Sequence, residues 1–116
     1  MTSVSLSLLV LKTRQLEVVR NFYAALGVDF KPEQHGSGPL HYAGQLESVV
    51  LEIYPSEDPI ADSLRIGFAI DNLEKAIQAL RSVDAAVISK PKDSPWGLRA
   101  VVRDPDGRSV ELLQKN

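Results

Sequence analysis

The order of predicted strands and helices repeats once along this chain. The first copy contains a strand, a helix and three short strands, at residues 6–11, 15–26, 28–33, 40–45 and 48–54. The second copy has the same order, at residues 64–70, 72–83, 86–89, 98–103 and 109–114. Each half therefore reads βαβββ. Because a half of about fifty residues buries too little surface to be stable alone, the halves must pack together or pair across two chains.

The two predicted helices set the alignment of the repeat. The first carries an apolar stripe made of Leu16, Val19, Phe22, Tyr23 and Leu26. In the second, Asn72 is a suitable N-cap, and the inward stripe comprises Leu73, Ala76, Ile77 and Leu80. Superimposing Leu16 on Leu73 shifts the halves by 57 positions and places Leu8 on Arg65.

Alternation along the strands predicts which side chains face away from the helices. The aliphatic sets suited to the helix side are Leu51 and Ile53, Ile66 and Phe68, and Val110 and Leu112. The opposite face then collects Val50, Glu52, Tyr54, Arg65, Gly67, Ala69, Ser109, Glu111 and Leu113, with Leu8 added by the internal shift. Such a mixture of apolar area with a few polar groups favours a cleft over a solvated face.

Composition limits the classes of function. With 116 residues, 44% hydrophobic and 24% charged, residues 1–116 fit one domain. A net charge of -2 and a pI near 5.6 argue against nucleic acid and anionic membranes as partners. Since the chain has no cysteine, any metal would need His, Asp or Glu ligands. The N-terminus lacks a signal-peptide pattern and no run of about 18 apolar residues occurs, so we expect a cytoplasmic protein.

Several motifs resemble the vicinal oxygen chelate superfamily of glyoxalase I, bleomycin-resistance proteins and extradiol dioxygenases. They are Asn21-Phe22-Tyr23-x-x-Leu26-Gly27, Asp71-Asn72-Leu73-Glu74, and Asp104-Pro105-Asp106-Gly107 followed by Val110-Glu111-Leu112. Trp96-Gly97-x-Arg99 is similar to the bleomycin-resistance branch. The resemblance implies an α+β fold in which modules at about 4–55 and 63–115 curl mixed sheets around a cleft, in a homodimer.

The resemblance also implies where a metal would bind. The four ligand positions of the family's metalloenzymes fall on Leu8, Glu52, Arg65 and Glu111. Leu8 has no donor atom and Arg65 carries a permanent positive charge, so we expect the inherited site to hold no metal, and we predict no cofactor. Arg65 has two interpretations of equal weight: an ion pair with Glu52 or Glu111, or recognition of an anionic group on a ligand.

Other side chains are candidates for ligand contact. Trp96, the only tryptophan, lies between Pro95 and Gly97 in a predicted loop and is the strongest candidate. Tyr54 can stack on a ligand or pack at the rim, and Arg99 can contact a ligand or pair with an acid on a neighbouring strand.

His41 is a possible acid or base, provided that it faces the cleft. His35 beside Gly36 is a weaker candidate. Asp104-Pro105-Asp106-Gly107 is interpreted as a tight turn and not as a catalytic acid pair.

The residues favour one function and leave two alternatives open. The favoured function is binding of a small organic molecule. The first alternative is a divalent-metal-dependent lyase, isomerase or dioxygenase that uses Glu52 and Glu111 with a relocated ligand such as His41. The second is a metal-free enzyme with His41 or Glu111 as base. No catalytic residue is assigned, and whether the protein is an enzyme is left open.

Overall fold

A computed structural model describes residues 3–58 and 63–116. The last four residues of the predicted linker at 55–62, and the first two residues of the chain, lie outside the described part. Module one contains β1 (Leu8–Thr13), α1 (Leu16–Ala25), β2 (Phe30–Glu33), β3 (His41–Leu46) and β4 (Val49–Pro55). Module two contains β5 (Arg65–Ala69), α2 (Leu73–Arg81), β6 (Ala86–Ser94), β7 (Gly97–Arg103) and β8 (Ser109–Lys115).

Each module builds one mixed four-stranded sheet. The strand orders are β1-β4-β3-β2 and β5-β8-β7-β6. In each sheet the first strand runs parallel to the last, and the remaining pairs are antiparallel. A parallel pair needs a crossover connection. The connection from β1 to β4 begins with α1, and the connection from β5 to β8 begins with α2. The α+β class and the two βαβββ modules are therefore confirmed.

The strand registers confirm the internal shift. β1 starts at Leu8 and β5 starts at Arg65, which are 57 positions apart. Glu52 lies beside Val10, and Glu111 lies beside Gly67, again 57 positions after Val10. The two glutamates thus occupy the same place in their sheets, although 59 positions separate them in the sequence.

The predicted helix-facing side chains form the core. Leu51, Ile53, Val110 and Leu112 are almost completely buried and Ile66 is nearly so, whereas Phe68 is only partly buried against the core. The helices contribute Val19, Phe22, Tyr23, Leu73, Ile77 and Leu80 to the same cluster. Asn72 caps α2 as predicted, because its Oδ1 accepts a hydrogen bond from the Lys75 backbone N–H at 3.0 Å. Within the described residues, neither helix is long and apolar enough to cross a membrane.

Most strand boundaries differ from the prediction by one or two residues, and the end of β6 differs by five. β1 begins at Leu8 and not at residue 6, and β6 continues to Ser94 and does not end at residue 89. Pro91 concealed the second half of β6 in the sequence. It is tolerated because β6 is an edge strand, whose outer N–H groups need no partner. Register shifts between residues 87 and 92 re-align the strand with β7.

A buried polar network joins the two modules at the predicted Asp104–Gly107 turn. Tyr23 donates a hydrogen bond from its hydroxyl to Asp104 Oδ2 at 2.7 Å, and Arg108 donates to the same oxygen at 2.9 Å. Arg108 also donates to the Lys12 carbonyl at 2.6 Å. Asp104 Oδ1 accepts from the Asp106 and Arg108 backbone N–H groups. The turn is confirmed, and its buried aspartate additionally binds α1.

The network changes the acid strength of its members. Burial, followed by the negative charge of Asp104, raises the pKa of the Tyr23 phenol far above its usual value. Burial lowers the pKa of Arg108, but the hydrogen bond and charge of Asp104 outweigh it, so the net shift is upward. Tyr23 is therefore a neutral donor and Arg108 a cation at the junction.

Candidate functional site

The sheet of module two carries a pocket of about 430 Å³ on the face away from α2. Its lining is largely small or apolar, with one ion pair, and consists of Gly67, Phe68, Ala69, Trp96, Arg99, Glu111 and Leu113. Strands β5, β7 and β8 supply six of these residues, and the β6–β7 turn supplies Trp96. Apolar walls with few polar groups are typical of small-molecule pockets.

Trp96 lies in the two-residue connection between β6 and β7, with 69% of its surface exposed. Ser94 fixes the turn, since its Oγ accepts from the Trp96 N–H at 3.2 Å and donates to the Gly97 carbonyl at 2.6 Å. Gly97 has a φ of 137°, and a Cβ there would lie 2.3 Å from the Gln114 carbonyl oxygen. Only glycine fits this position. The backbone of the turn therefore fixes the position of Trp96.

Arg99 and Glu111 form an ion pair within the pocket. Arg99 Nε donates to Glu111 Oε1, and the two side chains are 33% and 32% exposed. This bears out the interpretation that Arg99 pairs with an acid on a neighbouring strand. The predicted pairing of Arg65 with Glu52 or Glu111 is wrong, because Arg65 forms no ion pair among the described residues and Glu52 lies next to His41. The β5–β8 register places Gly67, and not Arg65, beside Glu111.

Arg65 and Leu8 start the equivalent strands β5 and β1. Arg65 is exposed and lies beside Ser109, and Leu8 is 50% exposed beside Val50. Neither residue lines the module two pocket. Both nevertheless point away from the helices, as the sequence predicted.

The corresponding face of module one carries His41, Glu52 and Tyr54. His41 is buried, and its ring stacks on Tyr54 with the ring centroids 3.9 Å apart. Its Nε2 lies 3.7 Å from Glu52 Oε2. Burial, and then the charges of Glu52 and Glu33, raise the pKa of Tyr54. His41 therefore shares the face of Glu52, the face that the sequence predicts to line the cleft.

Sequence reasoning missed Glu33, which lies close to both histidines of the chain. The Nε2 atoms of His35 and His41 each lie 3.5 Å from Glu33 Oε1. The β2–β3 register pairs Glu33 directly with His41. Predicted strands that end at residue 33 and begin near residue 40 could have indicated this pairing, had their register been assigned.

The structure therefore separates the predicted site residues into two groups. Trp96, Arg99 and Glu111 line the module two pocket, whereas His41, Glu52 and Tyr54 lie together on module one. Within the described residues, the cluster of acidic and His side chains close enough to share an ion consists of Glu33, His35 and His41. Glu111 is not part of that cluster.

Comparison with known protein families identifies the family to which this chain is similar. Residues 5–112 match the family model of the glyoxalase/bleomycin resistance protein/dioxygenase superfamily. No curated protein sequence matches significantly.

Solved structures share the fold over almost the entire chain. TnmS3, an antibiotic-binding protein from Streptomyces sp. CB03234, is 24% identical, with a TM-score of 0.77 over 100% of this chain and 99% of that one. A glyoxalase/bleomycin resistance protein from the same organism is 27% identical, with a TM-score of 0.71 over 95% and 100% of the two chains.

A hypothetical protein from S. aureus is 19% identical, with a TM-score of 0.75 over 96% of each chain. These likenesses agree with the match of the family model across both modules. The chain belongs to the glyoxalase/bleomycin resistance protein/dioxygenase superfamily.

Proposed function

We propose that this protein binds a small planar organic molecule in the module two pocket, with Trp96 stacking on the ligand and the Arg99–Glu111 pair contacting its polar groups. The observation that carries the proposal is the 69% exposure of Trp96 above a pocket of about 430 Å³. A large aromatic side chain held out by a fixed turn provides rigid contact area at low entropic cost. Such residues are enriched where proteins bind partners.

The shape of the pocket supports a flat ligand. Gly67 and Ala69 on β5 leave space beside Glu111, because a Cβ on Gly67 would stand 3.9 Å from Glu111 Oε2. Leu113 adds an apolar wall. A ligand between Trp96 and this floor would bury its ring faces, while its edge would reach the Arg99–Glu111 pair.

The relatives support the ligand class. TnmS3 is an antibiotic-binding protein, and the 27% identical relative is a glyoxalase/bleomycin resistance protein. We extend to this chain only the binding of a drug-sized organic molecule. Sequestration without chemistry is the proposed activity.

The inherited metal positions support binding over metal-dependent catalysis. Of the four, Leu8 offers no donor atom and Arg65 offers a cation. Glu111 is engaged by Arg99. These residues do not fit a divalent ion at the family's position, so no reaction step is assigned to one.

A symmetric homodimer is part of the proposal. Leu6, Leu8 and Val10, at and before β1, are 61%, 50% and 38% exposed. The Cα radius of gyration is 14.8 Å, compared with about 13.4 Å for a compact domain of this length. A second copy that covers these apolar side chains would complete the cleft.

Analytical ultracentrifugation tests the dimer. The measured mass should be twice the 12.7 kDa mass of one chain, and a mass equal to that of one chain would contradict the dimer.

Intrinsic fluorescence tests the binding proposal, because Trp96 is the only tryptophan. A panel of planar aromatic compounds is titrated, including 9-anthracenecarboxylate and its uncharged alcohol, with calorimetry as the second readout. Quenching should saturate for at least one compound. Trp96→Ala should weaken calorimetric binding at least tenfold, about 1.4 kcal/mol.

The matched control is Ile88→Ala, which removes another exposed apolar side chain (54% exposed) outside the pocket. It should leave affinity unchanged. If no compound binds, or if Trp96→Ala binds as tightly as the parent, the proposed function is wrong.

A further inference from the structure

His41 presents a buried ring nitrogen without a hydrogen-bond partner. The side chain is 1% exposed, and Nε2 has no partner among the described residues. The other nitrogen, Nδ1, lies 3.2 Å from the Pro39 carbonyl oxygen. A carbonyl can only accept, so Nδ1 carries the proton and Nε2 of the neutral ring carries a lone pair. Buried polar atoms without partners are rare and often mark a missing ion or water.

The lone pair faces negative charge. Glu33 Oε1 is 3.5 Å and Glu52 Oε2 is 3.7 Å from Nε2. These separations are too long for good hydrogen bonds. A lone pair directed at two carboxylates is electrostatically unfavourable, so this position calls for a positive charge, either a proton on Nε2 or a bound cation. Lys12 and Lys31 point to the same face by register, but neither forms an ion pair with the residues described.

The spacing of the donor atoms fits a small metal ion. His35 Nε2 lies 3.5 Å from the same Glu33 oxygen, and the ligand atoms of Glu33, His35 and His41 all lie within 4.8 Å of one another. Nitrogen and oxygen ligands bind Zn²⁺ at about 2.1 Å, so two ligands in a tetrahedral site stand about 3.4 Å apart. The observed separations need only small side-chain movements to match this value.

His41 is also held in the orientation that a metal ligand needs. Tyr54 stacks on its ring with an angle of 12° between the planes, and the Pro39 carbonyl fixes the tautomer that leaves Nε2 free. A ligating histidine usually donates its other N–H to such a carbonyl, which orients the ring and raises its basicity. His35, in contrast, is 73% exposed and is free to close onto an ion.

We propose that Glu33, His35 and His41 bind a divalent transition-metal ion of the zinc class, with Glu52 as a fourth ligand. Two imidazoles with carboxylates suit Zn²⁺, Ni²⁺ or Cu²⁺ more than Mg²⁺ or Ca²⁺, which prefer oxygen ligands alone. The site lies at the β2–β3 edge of module one and shares only Glu52 with the family's four positions. It is independent of the Trp96 pocket and of the function proposed for it.

The test is zinc binding by the untagged full chain after removal of metals with EDTA. Isothermal titration in the presence of a competing chelator should show one Zn²⁺ per chain. Cobalt substitution provides a second readout, because the absorption of four-coordinate Co²⁺ is far stronger than that of the hydrated ion. Glu33→Gln, His35→Ala and His41→Phe should each weaken zinc binding at least tenfold, and phenylalanine preserves the stacking on Tyr54.

The matched control is Glu47→Gln, which removes an exposed acid of the same module outside the cluster. Its zinc affinity should stay within twofold of the parent. Because His35 is exposed and its replacement leaves the core intact, the test does not depend on His41→Phe folding. An absence of zinc binding, or zinc binding that survives both Glu33→Gln and His35→Ala, would overturn the proposal.

Discussion

Module one and module two place a glutamate at the same point of the same scaffold but surround it differently. Glu52 beside Val10 meets the buried ring of His41, whereas Glu111 beside Gly67 meets the guanidinium of Arg99. The scaffold therefore determines where each acid points. Its neighbour on the adjacent antiparallel strand determines what the acid can do: in module two the charge is neutralised, and in module one it is available to a cation.

The first strands of the modules differ beside the two glutamates. β5 presents Gly67 and Ala69, whereas the equivalent positions of β1 carry Val10 and Lys12. The small residues on β5 line the pocket of about 430 Å³ next to Glu111. On module one, a pocket of about 300 Å³ lies over β2, β3 and β4, and its lining includes Glu33, Ala43 and Val50. The open space therefore lies over different strands in the two modules.

The largest expected effect comes from breaking the junction that unites the modules. Asp104→Asn removes the nearer of the two carboxylates that pair with the buried Arg108 cation and leaves only Asp106 Oδ2, at 3.1 Å. Loss of one member of a buried ion pair costs about 3–5 kcal/mol. Urea denaturation should show this loss, while Asp93→Asn on the exposed side of β6 should change stability by less than about 0.5 kcal/mol. Equal stability of the two variants would contradict the role of the junction.

The next effect concerns the tight turn between β6 and β7, where module one has a longer connection between β2 and β3. Gly97→Ala forces a Cβ against the Gln114 carbonyl oxygen at a φ of 137°, and we expect a loss of more than about 2 kcal/mol. Gly27 also has positive φ, but it has open space around it. Gly27→Ala is therefore the control for backbone conformation alone, with a loss of about 1 kcal/mol. Similar losses in both variants would contradict crowding at Gly97.

Alkaline pH should weaken the junction through Tyr23. Its pKa is raised in the folded protein, so above pH of about 10 the unfolded chain releases a proton that the native state keeps. Stability should then fall by up to about 1.4 kcal/mol per pH unit from this group. Below pH 10 the contribution is fully present. Comparing denaturation of the parent and Tyr23→Phe from pH 8 to 11 isolates it, and identical pH slopes would refute it.

The smallest effect on stability should accompany a large effect on ligand binding. Gly67→Val makes β5 resemble β1, and the added Cβ meets only ordinary contacts. Valine is favoured in strands, so the change in stability should stay within about 0.5 kcal/mol. Binding of the aromatic compound with the highest affinity for the parent should weaken at least tenfold because the pocket floor is filled. Unchanged binding would mean that the ligand binds outside this pocket. Val10→Gly, at the equivalent position of module one, is the control and should leave binding unchanged.

Much of the fold could be predicted because its signals are local. Helical stripes, strand alternation and the Asp104–Gly107 turn all depend on neighbouring residues, and the internal shift correctly aligned Leu8 with Arg65. The extension of β6 was missed because its pairing tolerates Pro91 only at a sheet edge. The hydrogen bond from Tyr23 to Asp104 was missed because Tyr23 comes from the other module.

For the candidate site, the sequence predicted the sheet face on which each side chain lies but not the side chains that it contacts. Alternation placed Glu111 correctly, yet it could not determine whether Arg65 or Arg99 stands beside it, because that depends on the register between strands. The same limit concealed Glu33 opposite His41. Residues that share a face are visible in a sequence, whereas residues that share a register are not.

The central claim is that the two modules carry separate sites for different ligands. Amide chemical-shift mapping tests it in one experiment, in which labelled protein is titrated separately with Zn²⁺ and with the aromatic compound of the panel that binds most tightly. We predict that zinc shifts signals of residues 33–41 and 52–54, whereas the organic probe shifts residues 67–69, 97–99 and the Trp96 indole. Overlap of the two sets on the same residues, or shifts in neither set, would contradict the account.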